Sequence, residues 1–330
     1  MSILYSLVLV ILFCALGYLG GSAPGLRMFF GVVVPYGAIA IFLVGLAYRV
    51  LRWANAPVPF RITTTCGQQK SLPWIKSNRI DNPSTALGAF IRMVFEIFLF
   101  RSLFRNTKSE LREGPKLVFG EEKFLWLGAM AFHWSFLVIF LRHLRFFLDP
   151  VPGCVLFLQN LDGFFQIGTP EIYATNVILV AGLCYLLLRR IVDARVRYFS
   201  LLADYFALFL ILGLAISGIL MRYWFKTDIS EVKQLALGLV TFAPIVPEGI
   251  GALFFMHLFL LSVLIAYFPF SKLMHMGGVF LSPTRNLANN NRIKRHINPW
   301  NYPVKVHTYE EWEEEFRDKI VACGLPLDKG

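Results

Sequence analysis

Four of the six histidines in this 330-residue chain fall in two long apolar runs. His133 and His143 stand ten residues apart in AFHWSFLVIFLRHLRFF, and His257 and His275 eighteen apart in FFMHLFLLSVLIAYFPFSKLMHMGG. The other two, His296 and His307, lie in a polar C-terminal tail. An imidazole at membrane depth is costly unless its nitrogens are engaged, so such residues need partners and often mark function. If the two runs cross the membrane in opposite directions, the histidines form two levels. His133 and His275 share the inner level, His143 and His257 the outer. At about 1.5 Å per residue the two spacings rise roughly 15 and 27 Å, a mismatch that tilt and a kink at Pro269 would partly absorb. Eighteen residues are about five turns of a straight helix, which would put His257 and His275 on one face.

Two helices that each offer an imidazole at the same level are what a bis-histidine haem requires. Both axial positions are then filled, which favours electron transfer over oxygen chemistry. The expectation is two b haems with His133, His275, His143 and His257 as axial ligands to iron. Gly128, Gly249 and Gly251 would give room for the macrocycle. Arg142, Arg145 and Lys272 are candidate partners for haem propionates, although both arginines could equally snorkel to lipid headgroups. The rival reading is a haem-free membrane anchor or proton relay in which the histidines bond to one another or to neighbouring helices.

The elements that would carry these residues are legible from hydropathy. Hydrophobic residues make up 56% of the chain and charged residues 16%, with a mean hydropathy of +0.59. A soluble domain has about 25% charged residues, and here the apolar excess lies in uninterrupted runs. Six of these reach the roughly 20 residues needed to span hydrocarbon: about residues 4–20, 31–50, 124–147, 173–188, 199–221 and 251–271. The first lacks a basic leader and its apolar run exceeds the usual 7–15 residues of a signal peptide, so it reads as a retained helix. Residues 87–104 are apolar but carry Arg92, Glu96 and Arg101 at near-helical spacing, which predicts an amphipathic helix on the membrane surface. The expected fold is therefore all-α: a polytopic bundle of about six transmembrane helices. Residues 1–275 form the di-haem domain, with residues 52–123 as a cytoplasmic loop, and residues 276–330 a cytoplasmic tail suited to docking a partner.

Loop charge sets the orientation. Between the second and third spans, from Arg49 to Lys123, 13 Lys/Arg face 6 Asp/Glu. The loop from Phe146 to Tyr173 has no Lys or Arg but three acids, Asp149, Asp162 and Glu171. Basic residues return at Arg189, Arg190, Arg195 and Arg197, and again at Arg285, Arg292, Lys294 and Arg295. The positive-inside rule then places both termini in the cytoplasm of a cell whose inner membrane holds the chain. The net charge of +11 is a topology signal and excludes nucleic acid as a partner. The five cysteines (Cys14, Cys66, Cys154, Cys184, Cys323) form no CxxC or CxxCH motif, so no c-type haem or iron–sulfur cluster is expected in this chain. With no nucleophile–base pair and no Gly-rich phosphate loop, the expected role is that of an electron-transfer subunit rather than a free-standing enzyme.

These histidine spacings resemble those of the gamma subunit of respiratory nitrate reductase, a di-haem b membrane anchor, over the last five spans. A closer resemblance, over nearly the whole chain, is to the M subunit family of the sulfite-reduction-associated Dsr membrane complex. That family is related to the cytochrome b subunit of membrane heterodisulfide reductases. The residues that carry it are PVPFRITTTCGQQKSLPWIKSNRIDNPST, LFRSLFRNTKSELREG, and SPTRNLANNNR with HINPWNYPVKVHTYEEWEEEFRDK in the tail. The resemblance implies pairing of His133 with His275 and His143 with His257, with menaquinone as the exchangeable substrate. It also implies a cytoplasmic iron–sulfur partner resembling a heterodisulfide reductase catalytic subunit, acting on a thiol/disulfide-type substrate, and further membrane and periplasmic subunits. A nitrate-reductase-type gamma subunit is the nearest alternative.

Overall fold

A computed structural model describes residues 1–56, 78–104, 108–114, 116–163, 171–289 and 307–328. Cys66, His296 and most of the first resemblance segment lie outside the described residues. Six helical segments are long and apolar enough to cross a membrane: Ser2–Ser22, Pro24–Ala54, Lys123–Phe146, Ala174–Val192, Leu202–Tyr223 and Ala252–Phe270. Each matches an expected span to within a few residues, except that the second begins seven residues earlier. The chain is a multi-pass membrane protein.

In chain order, α1 (Ser2–Ser22) leads through a 3-10 turn at Pro24–Leu26 and a π-helical turn at Phe29–Val33 into α2 (Val34–Ala54). Two short helices follow, α3 (Ala86–Leu99) and α4 (Arg101–Phe104), and then an antiparallel hairpin of β1 (Lys108–Arg112) and β2 (Lys116–Gly120). The remaining spans are α5 (Lys123–His143), α7 (Ala174–Val192), α9 (Leu202–Tyr223) and α11 (Ala252–Tyr267). Shorter helices connect them: α6 (Gly153–Asp162), α8 (Ala194–Phe199) and α10 (Ile229–Val240). After α11 come α12 (His275–Leu281), α13 (Pro283–Asn286) and α14 (Tyr309–Ala322).

The bundle is ordered by which helices touch. α1 packs on α9 and α11, α2 on α11, α9 on α7 and α11, and α7 on α5. The core between α1, α7, α9 and α11 holds Val10, Leu183, Leu210 and Leu260. Close approach of α1 to α11 depends on Gly17 and Gly21, one turn apart. A Cβ on Gly17 would stand 3.0 Å from the Met256 Cα, and one on Gly21 2.5 Å from the Phe255 Cβ. Small residues four apart let membrane helices pack backbone to backbone, where lipid supplies no hydrophobic drive between them. Ser6, fully buried near the other end of α1, donates to the Leu202 carbonyl at 2.9 Å and fixes α1 along α9.

Two elements depart from the hydropathy reading. The stretch 87–104 is not one helix. Thr85 caps α3 by accepting from the Gly88 N–H at 3.2 Å, and Phe100 ends it in the left-handed region at φ 48°. Leu87, Phe90, Ile91 and Phe98 of α3 are exposed, whereas Arg92 is buried and Glu96 pairs with Arg285 of α13 at 2.8 Å. The helix thus turns its charges inward and its apolar side outward, as a helix seated at a lipid interface does. Its C-terminal end leans on α5, where the Trp126 and Trp134 indoles donate to the Leu99 and Phe98 carbonyls at 2.7 and 3.1 Å. The second departure is at the end of the last span. α11 stops at Tyr267, a 3-10 turn spans Phe268–Phe270, and Ser271 is extended (φ −108°, ψ 176°) before the chain coils again. His257 and His275 are therefore not on one straight helix.

Replacing Gly21 with Ile is expected to push α1 off α11 and destabilise the protein by about 1–3 kcal/mol, the usual cost of overpacking. Thermal unfolding in detergent, with Gly25→Ile as the open-space control, measures it.

Candidate functional site

The break at Ser271 is what allows the lower histidines to meet. With the chain turned, His275 opens α12 opposite His133 of α5, and their ring centroids lie 6.0 Å apart at 83°. Phe100 and Phe132 edge onto His133 at 4.9 and 4.7 Å, so the left-handed residue that ends α3 also walls this site. His143 ends α5, and His257 lies in the second turn of α11.

All four rings are held by the same nitrogen. Nδ1 of His133, His143 and His275 lies 2.8, 2.7 and 2.8 Å from the carbonyls of Ala129, Ile139 and Lys272. A carbonyl only accepts, so Nδ1 carries the proton in each case. Nδ1 of His257 lies 2.8 Å from the Ser217 Oγ, and Ser217 is itself 3.0 Å from the Leu214 carbonyl. With Nδ1 protonated, Nε2 of a neutral imidazole carries a lone pair, and among the described residues no hydrogen bond to Nε2 of these four rings is seen; that is the state a metal-binding histidine needs. None of the four is fully enclosed by protein: His143 and His275 are exposed, His133 and His257 half-buried.

The helix spacing fits a group between the pairs. α5 packs along α7, and α11 along α1, α2 and α9, while α5 and α11 make no extended contact among the described residues. Metal–imidazole bonds of about 2 Å on both sides of one ion put the ring centroids about 6 Å apart, close to the His133–His275 separation. The donor set, two neutral imidazoles per level in an apolar surround, suits a low-spin haem iron. No group of three or more His, Cys, Asp or Glu able to hold a metal occurs among the described residues.

The cations predicted beside the site are engaged with protein groups. Arg142 is buried, with Nε 3.0 Å from Asp162 and its guanidinium 3.8 Å from the Tyr173 ring centroid. Asp162 also accepts from the N–H and hydroxyl of Thr175 at 2.8 and 2.5 Å in the first turn of α7, where the helix dipole favours a carboxylate. Asp162 thus ties α5, α6 and α7 together at the end bearing the acidic loop. Arg222 stacks on the same Tyr173 at 4.0 Å and donates to the Glu171 carbonyl at 3.2 Å. Arg145 donates to Gln159 at 2.7 Å. Lys272 pairs with Asp204 at 2.8 Å, while its carbonyl holds His275. The glycines divide similarly. Gly128 lies against the Tyr185 ring and Gly249 against the Glu231 carboxylate, so both serve helix packing, whereas Gly251 faces open space. The glycine beside a histidine is Gly218, where a Cβ would lie 3.5 Å from His257 Cε1. Neither Gly218 nor Ser217 stood out in the sequence. Serine and glycine are common inside membrane helices, and only the tertiary packing of α9 on α11 gives this pair a role.

Six apolar spans, with four histidines on α5, α11 and α12, give the chain the architecture of a membrane protein of the cytochrome b kind. The chain belongs to the nitrate reductase gamma subunit family, whose model matches residues 93–296. It is also similar to two archaeal proteins, each described as an Hdr-like menaquinol oxidoreductase cytochrome b-like subunit. The one from Archaeoglobus fulgidus is 49% identical over 279 residues, 82% of this chain and 83% of the relative. The one from Archaeoglobus profundus is 46% identical over 274 residues, 81% of each.

The Arg142–Asp162 pair separates structural from surface charge. Asp162→Ala leaves a buried guanidinium unpaired and is expected to cost about 3–5 kcal/mol. Glu121→Ala, which removes an exposed partner of Lys123, should cost no more than about 1 kcal/mol. Detergent-solution melting of the two variants compares them directly.

Proposed function

We propose that this chain is a di-haem b cytochrome that carries electrons from menaquinol to a cytoplasmic redox partner. The observation that carries the reading is that all four membrane histidines hold Nδ1 in a hydrogen bond, with the His133 and His275 rings 6.0 Å apart across two helices. A haem at each level would supply reversible one-electron transfer, and His133 with His275 and His143 with His257 would hold the two groups. The residues around the pairs fix the ring planes: Phe100 and Phe132 at His133, Ser217 and Gly218 at His257. Arg145 is the remaining candidate for a propionate on the outer haem, since a guanidinium bonded to one amide oxygen keeps further donors. Arg142 acts instead in holding Asp162, and Lys272 in holding Asp204.

Quinol oxidation releases two electrons and two protons. The electrons leave by the inner pair, which lies toward the end with the basic loops and the tail. The similarity to Hdr-like menaquinol oxidoreductase subunits, together with the Dsr-type loop and tail motifs, supports a cytoplasmic iron–sulfur partner of the heterodisulfide reductase kind and a place in dissimilatory sulfur metabolism. The loop charges support both termini on the cytoplasmic side. The tail is the docking element. α14 is a self-capped helix, with the Thr308 Oγ1 accepting from the Glu311 N–H at 3.2 Å and Glu311 accepting from the Thr308 N–H at 3.1 Å. Its first turn presents Glu310 and Glu311.

His143→Ala and His257→Ala are each expected to abolish the same haem signal, and His133→Ala and His275→Ala the other. Reduced-minus-oxidised spectra of the four variants read this directly, and loss of one centre by both His143→Ala and His275→Ala would contradict the pairing. Truncation after Asn289 keeps Arg285 on Glu96 and Asn289 on Asn82. It should leave haem content unchanged and weaken co-purification of the iron–sulfur partner at least tenfold; an undiminished complex would sink the docking role.

A further inference from the structure

The four imidazoles are not held alike. Three give Nδ1–H to a main-chain carbonyl of their own chain segment, three or four residues earlier. His257 alone reaches a side chain, the Ser217 hydroxyl on the neighbouring α9. Ser217 is buried and has one proton to give. Its nearby Leu214 carbonyl, at 3.0 Å, can only accept, so the hydroxyl proton points there and the oxygen receives Nδ1–H. A hydroxyl oxygen is a weaker acceptor than a peptide carbonyl, whose resonance concentrates negative charge on oxygen. An Nδ1–H bond to a strong acceptor makes the imidazole a better donor to a metal, and a better donor favours the higher oxidation state. His257 is therefore the least basic of the four ligands by its surroundings.

We propose that Ser217 is a positioning residue that sets the redox potential of the His143–His257 centre apart from that of the His133–His275 centre, through the hydroxyl that bonds to His257 Nδ1. The inference rests on the di-haem reading and deepens it: it supplies a difference between two sites that share the same ligand types. The hydroxyl also fixes the plane of the His257 ring, whose Cε1 edge lies along Gly218. Removing it loosens the ring as well as weakening the ligand.

The test is a redox titration of the natively purified membrane complex, with low-temperature electron paramagnetic resonance of its oxidised form, on the wild type and on three variants. Ser217→Ala removes the acceptor and is expected to raise the midpoint of one haem and alter that haem's low-spin signal, with the other haem unmoved. Ser217→Thr keeps the hydroxyl and should restore both properties. Ser262→Ala removes an equally buried hydroxyl that bonds only to its own helix, at the Leu258 carbonyl, and should move neither haem. Unchanged midpoints in Ser217→Ala, or equal shifts of both haems, would overturn the proposal. Loss of one haem in Ser217→Ala with its retention in Ser217→Thr supports it, and loss in both overturns it. A wild-type preparation without haem would instead overturn the di-haem reading itself.

Discussion

An imidazole in the hydrocarbon layer has two nitrogens to satisfy, and neither can turn to water. In this chain one of the two is always satisfied by protein, and always the same one. Main-chain carbonyls hold Nδ1 of three histidines and Ser217 that of the fourth. Under the di-haem proposal Nε2 is left for a group between the helices, and the bundle supports α5 by α7 and α11 by α1, α2 and α9, with no extended α5–α11 contact among the described residues. Glycines at 17 and 21 bring α1 against α11 on the far side, which supports the helix that lacks an extended contact with α5.

The two ends of the bundle are braced by different chemistry. At the end with the acidic loop, Asp162 collects Arg142 and the first turn of α7, and Tyr173 lies against two guanidinium groups. At the other end, Lys272 pairs with Asp204 of α9 while its own carbonyl holds His275, so one residue links the histidine to the bundle. α3 adds a second brace there. Its charged side locks onto the segment after α12 through Glu96 and Arg285, and Phe100 sits on His133. α3 and the His133–His275 pair are thereby one mechanical unit, with the exposed apolar residues of α3 on its outer side.

Much of this was legible in the amino-acid sequence, for a physical reason. Spans of about 20 apolar residues leave little choice of secondary structure in lipid, and histidines within them are too costly to be incidental. The pairing of His133 with His275 could be anticipated because alternate spans run in opposite directions, and their rings do lie 6.0 Å apart. What was not legible depends on pairs distant in sequence. Arg142 looked free for a propionate because its partner, Asp162, is brought to it only by the turn into α6. The equal-face relation of His257 and His275 assumed a straight helix. Pro269 signalled a kink, but the extended Ser271 that restarts the chain is a matter of tertiary fit. The β1–β2 hairpin and the amphipathic α10 escaped because neither gives a long apolar run. Phe100 in a left-handed turn is a conformation few non-glycine residues adopt, so nothing in local propensity announced it.

The most direct measurement is the haem content of the natively purified protein, by a pyridine haemochrome assay with a low-temperature spectrum of the oxidised state. Two b haems per chain, both low-spin, are expected from two level pairs of Nδ1-anchored imidazoles. A protein that carries no haem yet remains folded would contradict the central claim and return the four histidines to a structural or proton-relay role.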